Sequence, residues 1–346
     1  MNQPTKQTRE NYIDMTKGIG IVLVVYGHCM RDFNVFIQWQ CSFFMPLFFV
    51  LSGICYKFPQ KNYFWNNIRK ILKPYYLWAI FGFCIEFLLY IFKGMDVQKI
   101  VCFFIKLLLG MSFWNYPLWF LVCFFVSKSV FDIIILTSQK VKRTVLIQSI
   151  CVIVCCLIGI LMGKYARAFS FFYPFRFDTG LVMLPFLLIG NLSKPFIQKI
   201  VSNNYKRNVV ILLVLLGINL MSHNYNTVVS VNSSEYGNIF LFLISAISGS
   251  YFIIILCKIF SEFLILDKYI NIFTLFGRES MFIMCVHAII LMFIAKALLI
   301  LNSILKVSMI TIDYMEFVLC LLTLIVICYY FDRREKYKTK MLKNLN

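Results

Sequence analysis

The chain's first long apolar run begins with the letters GIGIVLVVYGH over residues 18–28, directly after a polar segment that ends at Lys17. A helix needs about 20 mostly apolar residues to cross the roughly 30 Å hydrocarbon core of a bilayer. The run, taken over residues 18–33, therefore predicts a membrane-spanning helix. The polar segment before it lacks the features of a cleavable signal peptide, so we expect this helix to anchor the N-terminus.

The composition of the whole chain favours membrane insertion. Hydrophobic residues account for 61% of the 346 residues and charged residues for 14%, against about a half and about a quarter in soluble domains. The mean hydropathy of +0.80 agrees. These values argue against a soluble enzyme, a disordered chain and a nucleic-acid-binding module. The 13 cysteines mostly lie in apolar runs without metal-ligand spacing, so we interpret them as small hydrophobic residues and predict no metal site.

Apolar runs of similar length recur to the end of the chain and predict an all-α, multi-pass transmembrane helix bundle. A shorter run, 99–110, is too brief to cross comfortably, and we expect it to be re-entrant, to lie in the interface or to lead into the fourth span. The about ten predicted spans are 18–33, 40–56, 74–92, 117–136, 146–163, 179–193, 208–222, 238–260, 279–300 and 307–331.

The basic residues indicate the orientation of this bundle. The chain has 34 Lys and Arg against 15 Asp and Glu, a formal charge of +19. With ten spans and an inside N-terminus, inside segments hold roughly three times as many basic residues as outside segments, as the positive-inside rule requires. We therefore predict that both termini are cytoplasmic. Residues 1–346 form a single membrane domain, with spans and loops over 18–331 and a basic cytoplasmic tail over 332–346.

Lys17 and His28 are the most informative polar residues of the first span. Eleven positions separate them, so an ideal helix places them roughly 16 Å apart and on nearly the same face. An ionisable group at membrane depth costs a few kcal/mol and often marks a functional site. A structural explanation is also open, in which Lys17 anchors the helix at the cytoplasmic interface and His28 bonds a carbonyl within the bundle.

Other polar residues near the spans have both structural and functional interpretations. His287 is a second intramembrane imidazole, for which the two are evenly balanced. Glu86 lies within a span and should have a partner. Arg176 and Asp178 precede the sixth span and are expected to pair with each other, and Trp119 lies where tryptophan is common at the membrane interface.

A basic loop between the second and third spans, residues 61–73, offers a second cluster of charge. Arg69, Lys70 and Lys73 have the chemistry to hold phosphate groups. Binding to anionic lipid headgroups explains the same residues equally well.

Short motifs follow one another along the chain in a characteristic order. The series opens with YIDMTKGIGIVLVVYGH at 12–28 and continues with FMPLFF and LSG, KPY, LWFL, LPF, and GRES ahead of His287. From about residue 9 to about residue 330, this order resembles the integral membrane acyltransferase-3 family, whose opening pattern is Asp-x-x-(Arg/Lys)-Gly followed by Gly-His. Many members have arginine where this chain has Lys17, so a point charge replaces a bidentate guanidinium contact.

This resemblance implies an enzyme that transfers an acetyl group from acetyl-CoA to a sugar hydroxyl of a cell-surface polysaccharide or its lipid-linked precursor. It implies ten spans in the cytoplasmic membrane of a bacterium. Acetyl-CoA is then a substrate, and no cofactor is bound permanently. The expected partners are acetyl-CoA, the glycan or lipid-linked sugar acceptor and membrane lipids, without nucleic acid.

The resemblance also suggests roles for individual residues. His28 would act as general base or accept the acetyl group itself, and His287 would assist it. Donor-binding candidates are basic and aromatic residues of the cytoplasmic side, namely Lys17, Arg69, Lys70, Lys73 and Tyr75. Ser52, Tyr75 or a freed backbone amide near Pro46 could donate to the oxyanion. The remaining substrate-binding or structural candidates are Asp14, Ser52, Trp119, Arg176, Asp178 and Glu86.

Two other function classes are compatible with a polar membrane bundle. A transporter or flippase of a lipid-linked sugar or small acid would use His28, Glu86 and His287 for proton coupling, although no internal sequence repeat favours it. A purely structural membrane subunit would not require Lys17 and His28 on one stripe. The outer loop, residues 222–237, is interpreted as solvated, with acceptor contact as the less favoured explanation.

Overall fold

The long apolar runs form α-helices. The computed structural model describes residues 11–32, 34–91, 97–111, 115–139, 141–200, 205–226, 229–261 and 267–344. Within these ranges the structure contains helices and connecting segments, with one isolated antiparallel bridge between Ser230 and Glu235. The helices are α1 (Asn11–Cys29), α2 (Val35–Cys41), α3 (Phe44–Ile54), α4 (Tyr63–Asn67), α5 (Lys73–Ile91), α6 (Val97–Leu108), α7 (Trp119–Ser138), α8 (Thr144–Ala168), α9 (Phe177–Val182), α10 (Leu184–Ile200), α11 (Tyr205–Asn224), α12 (Ile239–Phe260), α13 (Asp267–Arg278), α14 (Ser280–Leu305) and α15 (Met309–Asn344).

Several of these helices are suited to a membrane. Among the described residues, seven helical segments are long and apolar enough to cross, or eight if a bent pair is one span. The chain is thus a multi-pass integral membrane protein. The predicted first and third spans, in α1 and α5, are not among these segments, so the count of ten and the cytoplasmic termini stay predictions. The seven segments are Val35–Ile54, Tyr116–Ser138, Thr144–Ala168, Lys206–Asn224, Ile239–Phe260, Ser280–Ile304 and Met309–Arg334.

The second predicted span is interrupted near its start. The Asn34 side chain caps α2 by accepting a hydrogen bond of 3.0 Å from the Ile37 amide. The helix then breaks at Phe43, where φ is −142°, and α3 begins at the next residue. Pro46 therefore lies in the first turn of α3, where its missing N–H costs no helical hydrogen bond. The span begins five residues earlier than the predicted position 40 because the cap at Asn34 starts it.

The sixth predicted span is bent. Its two halves, Pro174–Val182 and Leu184–Ile197, meet at an angle of 50°. Phe175 and Arg176 precede α9 in the left-handed region, with φ of 56° and 53°. Non-glycine residues rarely adopt this conformation, and here the Phe175 amide donates to the Leu109 carbonyl at 2.8 Å. The turn before α9 is thereby joined to the end of α6.

The short run predicted over 99–110 forms α6, a helix of 12 residues. At 1.5 Å per residue it is about 18 Å long, too short to cross the hydrocarbon core. Two tyrosines at the start of α5 hold the C-terminal end of α6. The Tyr75 hydroxyl donates to the Leu107 carbonyl at 3.0 Å, and the Tyr76 hydroxyl donates to the Leu108 carbonyl at 3.0 Å.

A helix absent from the sequence prediction, α13, packs directly against α1. The two backbones touch at two glycines, Gly18 of α1 and Gly277 of α13. A Cβ at Gly18 would overlap the carbonyl oxygen of Phe273, and a Cβ at Gly277 would overlap the carbonyl oxygen of Asp14. Small residues allow such close approach of helices in membrane proteins. This crossing fixes the end of α1 that carries Lys17.

The last helix runs beyond its predicted span. The prediction ended at residue 331, whereas α15 continues to Asn344, so the described part of the basic tail is helical. Ion pairs tie α15 to the rest of the bundle near both ends of the span. Arg31 pairs with Asp313 and, at 3.1 Å, with Glu316, while Arg278 lies 3.4 Å from Asp332.

Candidate active site

A first cavity, of about 340 Å³, lies at the end of α1 that packs against α13. We call it the Lys17 cavity. Two cationic side chains, Lys17 and Arg278, and two hydroxyls, Ser52 and Ser280, face it, whereas the remaining walls are mostly apolar. Its lining residues are Lys17, Phe48, Leu51, Ser52, Cys55, Phe120, Leu121, Phe124, Gly277, Arg278, Ser280, Met281 and Met284.

A second cavity, of about 270 Å³, lies at the opposite end of α1. We call it the His28 cavity. Residues 229–232 of the loop before α12 line one side of it, so this part of the 222–237 loop contributes to the cavity, against the interpretation as a solvated loop. Its lining residues are Val24, Gly27, His28, Ile37, Gln40, Cys41, Phe44, Met45, Tyr116, Trp119, Val229, Ser230, Val231 and Asn232.

The two cavities share three helices. On α1, Lys17 lines the first cavity and His28 the second; on α3, the corresponding residues are Ser52 and Phe44. Residues of α7 line both cavities as well. The predicted stripe on the first helix therefore runs from one cavity to the other over roughly 16 Å. One cavity thus lies at the Lys17 end of α1 and the other at the His28 end, and only the second is lined by the imidazole.

His28 has a direct hydrogen-bond partner in Tyr116. The Tyr116 hydroxyl lies 2.5 Å from His28 Nδ1, and the two rings meet edge to face with centroids 5.0 Å apart. If Nδ1 carries the proton, it donates to the phenolic oxygen and leaves Nε2 with a free lone pair. If Nδ1 is unprotonated, it accepts from the hydroxyl. The first tautomer is the one that equips Nε2 as a base.

His287 lies directly behind His28. The two rings are stacked, with centroids 5.2 Å apart and 26° between their planes. His287 is fully buried, and its Nδ1 donates to the Ile283 carbonyl at 2.8 Å. Because this bond requires a proton on Nδ1, neutral His287 presents an unprotonated Nε2, for which the structure contains no partner among the described residues.

The donor-binding residues predicted from the basic loop lie on a different surface from Lys17. Arg69 and Lys70 belong to a π-helical segment, Ile68–Leu72, and Lys73 begins α5; all three are exposed. None of them lines the Lys17 cavity. Tyr75 is fully buried, and its hydroxyl donates a hydrogen bond to the Leu107 carbonyl.

Arg176 and Asp178 are both buried, but they do not pair with each other as the sequence predicted. Asp178 accepts a hydrogen bond of 2.5 Å from the Ser234 hydroxyl, whereas the Arg176 guanidinium lies 4.7 Å from the centroid of the Phe172 ring. The backbone at Arg176 lies in the left-handed region, with φ of 53°. Asp178 is thus joined to the loop before α12, part of which lines the His28 cavity.

The remaining predicted residues fall at three kinds of position. Trp119 lines the His28 cavity and Ser52 lines the Lys17 cavity. Asp14 is buried on α1, one turn before Lys17, with its backbone against Gly277. The side chain of Glu86 lies outside the described part of the structure. No group of three or more His, Cys, Asp or Glu is placed to hold a metal ion among the residues that the structure describes.

The sequence prediction missed two polar residues of the His28 cavity, Tyr116 and Gln40. Tyr116 stands two residues before the LWFL motif, at the start of a span where aromatic residues are ordinary. Gln40 lies at the boundary of an apolar run, and a neutral amide carries no charge to draw attention. The cost of burying an uncompensated amide was the available signal.

A comparison with known families assigns this architecture. A family model described as "Acyltransferase domain", that of the acyltransferase-3 family, matches residues 10–333. No curated protein and no solved structure matches the chain. The match covers α1 with Lys17 and His28, both cavities and α14 with His287. The chain therefore belongs to the acyltransferase-3 family and is a membrane acyltransferase.

Proposed function

We propose that the protein transfers an acetyl group from acetyl-CoA to a sugar hydroxyl of a cell-surface polysaccharide or its lipid-linked precursor. One observation carries the proposal: His28 lines one cavity at the end of the same helix whose Lys17 lines another. With the cytoplasmic termini that the excess of basic residues on one side predicts, the Lys17 cavity would face the cytoplasm and the His28 cavity the outer face. The bacterial membrane is what the family resemblance implies.

The Lys17 cavity suits the donor. Lys17 and Arg278 provide positive charge for the phosphate groups of CoA. The apolar side chains Phe48 and Phe124 provide a surface for the slender pantetheine arm, and Met284 leads towards the next turn of α14, which carries His287. The thioester would thus approach the histidine pair from the cytoplasmic side.

The His28 cavity suits the acceptor. In the tautomer in which Nδ1 donates to Tyr116, Nε2 of His28 accepts the proton of a sugar hydroxyl while the hydroxyl oxygen bonds to the thioester carbonyl carbon. The tetrahedral intermediate then collapses and its C–S bond breaks. The departing CoA thiolate takes the proton from the imidazolium, which returns neutral His28 and yields an acetyl ester and CoA thiol.

A covalent route uses the same residues. His28 would attack the thioester first, release CoA and hold the acetyl group until the sugar hydroxyl arrives. The two routes differ in the absence of an acceptor, because only the covalent route leaves label from acetyl-CoA on the protein. Wild-type protein incubated with labelled acetyl-CoA alone, then denatured rapidly in detergent at neutral pH, distinguishes them, because an acetyl-imidazole hydrolyses quickly in acid.

The proposed function is tested by transfer of radiolabel from acetyl-CoA in membranes that contain the protein. We expect label in glycan or glycolipid with the wild type and none with His28→Ala, at equal amounts of protein in the membrane. His223→Ala is the matched control, because His223 is the third histidine of the chain and lines neither cavity. Full transfer by His28→Ala would overturn the mechanism, and no transfer by folded wild type would overturn the function.

A further inference from the structure

Gln40, on α2, is a buried amide in the wall of the His28 cavity. Its exposed fraction is 0%, and it lines the same cavity as His28 and Tyr116. Neither Nε2 nor Oε1 has a hydrogen-bond partner among the described residues. The side chain therefore offers one free donor and one free acceptor beside the catalytic imidazole.

The position of this amide depends on Gly27. A Cβ at Gly27 would lie 2.6 Å from Gln40 Nε2, which is closer than a carbon and a nitrogen can pack. The absence of a side chain at Gly27 thus leaves the space that the amide occupies. Since Gly27 directly precedes His28, the amide lies against the turn of α1 that presents the imidazole to the cavity.

A buried amide without partners is costly unless a ligand satisfies it. Native proteins pair the large majority of their buried polar atoms, and an unpaired one calls for an explanation. The other polar residue buried in α2 or its connection to α3, Ser42, follows the usual rule by donating to the Trp39 carbonyl at 2.8 Å. Gln40 departs from this rule, and it does so in the wall of the cavity that His28 lines.

The chemistry of a carboxamide indicates what it binds. Its carbonyl oxygen accepts and its NH₂ donates from the same plane, so it matches a donor and an acceptor on neighbouring atoms. Two adjacent ring positions of a sugar provide that pair, through two hydroxyls or a hydroxyl and an acetamido group. Apolar residues such as Ile37 and Met45 complete the wall.

We propose that Gln40 positions the acceptor by binding two neighbouring polar groups of the sugar ring, so that the hydroxyl to be acetylated points at His28. This inference rests on the proposed function. It makes Gln40 a positioning and specificity-determining residue, because a sugar with a different arrangement of ring hydroxyls would leave the amide unpaired.

The test uses Gln40→Met, which keeps the length of the side chain and removes both hydrogen-bonding groups. The acceptor probe is the total glycan and glycolipid fraction of the source strain with the gene deleted, titrated by sugar content. We expect the apparent KM for this fraction to rise about tenfold, the change that corresponds to about 1.4 kcal/mol. The KM for acetyl-CoA should stay unchanged, and the unfolding temperature in detergent should not fall, since the amide makes no bond within the described chain and its burial without a ligand is costly.

Gln148→Met is the matched control, because Gln148 is also buried but donates to the Ser138 hydroxyl at 2.9 Å. It should lower the unfolding temperature and leave the acceptor KM unchanged, the opposite of Gln40→Met. An unchanged acceptor KM in Gln40→Met, or its failure to fold, would overturn the inference, since the second outcome shows that the amide serves the fold. Absence of transfer by the wild type would instead overturn the proposed function.

Discussion

The imidazole rings of His28 and His287 stack on each other with their centroids 5.2 Å apart. Of the two, only His28 is among the residues that line the His28 cavity, whereas His287 is fully buried behind it. The Ile283 carbonyl fixes the orientation of His287. Under the proposed function, His28 is therefore the ring placed to meet the substrate, and His287 the ring that orients it.

His287→Ala should lower kcat about fivefold, because loss of a ring contact worth about 1 kcal/mol loosens the orientation of His28. The double variant His28→Ala/His287→Ala should be no less active than His28→Ala alone, since His287 acts through His28. Radiolabel transfer measures both. A large residual activity of His28→Ala that disappears in the double variant would show instead that His287 is itself a base.

Tyr116→Phe should lower kcat about tenfold, since it removes a hydrogen bond to His28 of about 1.5 kcal/mol and with it the preference for one tautomer. Tyr251→Phe is the control, because the Tyr251 hydroxyl makes a comparable bond of 2.5 Å to Ser193 away from both cavities. Transfer rates per folded molecule, measured at saturating donor, compare the two variants. Equal rates in wild type and Tyr116→Phe would remove Tyr116 from the mechanism.

The part of the candidate site that could be predicted from the sequence consists of ionisable residues at a fixed spacing on one helix. Lys17 and His28 lie on one helix, and helical periodicity alone places them on one face. Their two cavities involve α3, α7 and α14 as well, and no local pattern determines which faces of those helices meet. The stacking of His287 on His28 is such a contact, and it required the structure.

The sequence-based prediction failed for residues that are locally unremarkable and whose importance comes from a tertiary contact. α13 has too few apolar residues to signal a span, yet Gly18 and Gly277 bring it against α1. Gln40 and Tyr116 are uncharged, so membrane depth gave no reason to select them. Arg176 and Asp178 have opposite charges close in sequence, but Asp178 bonds to Ser234 and Arg176 lies over the Phe172 ring.

Lys17→Ala should raise the KM for acetyl-CoA about tenfold and change kcat little, because a charged hydrogen bond to phosphate is worth about 1.5 kcal/mol or more. Lys17→Arg should keep the KM near the wild-type value. Lys70→Ala serves as the comparison, since Lys70 is an exposed cation of the basic loop that does not line the Lys17 cavity. Steady-state transfer rates over a range of acetyl-CoA concentrations give the KM and kcat of each of these variants. A larger effect in Lys70→Ala would place the phosphates on the basic loop.

Gly277→Ala should destabilise the protein by about 2 kcal/mol or more, because the added methyl group overlaps the Asp14 carbonyl and forces α13 away from α1. Gly217→Ala in α11 is the matched control: nothing lies within 4 Å of its added Cβ. There alanine should be neutral or stabilise the helix by up to about 1 kcal/mol. Thermal unfolding in detergent measures both. Since Gly277 also lines the Lys17 cavity, the surviving folded Gly277→Ala should bind acetyl-CoA more weakly, with a higher KM and an unchanged acceptor KM. Equal unfolding temperatures for the two variants would contradict the close crossing of α1 and α13 on which the position of Lys17 depends.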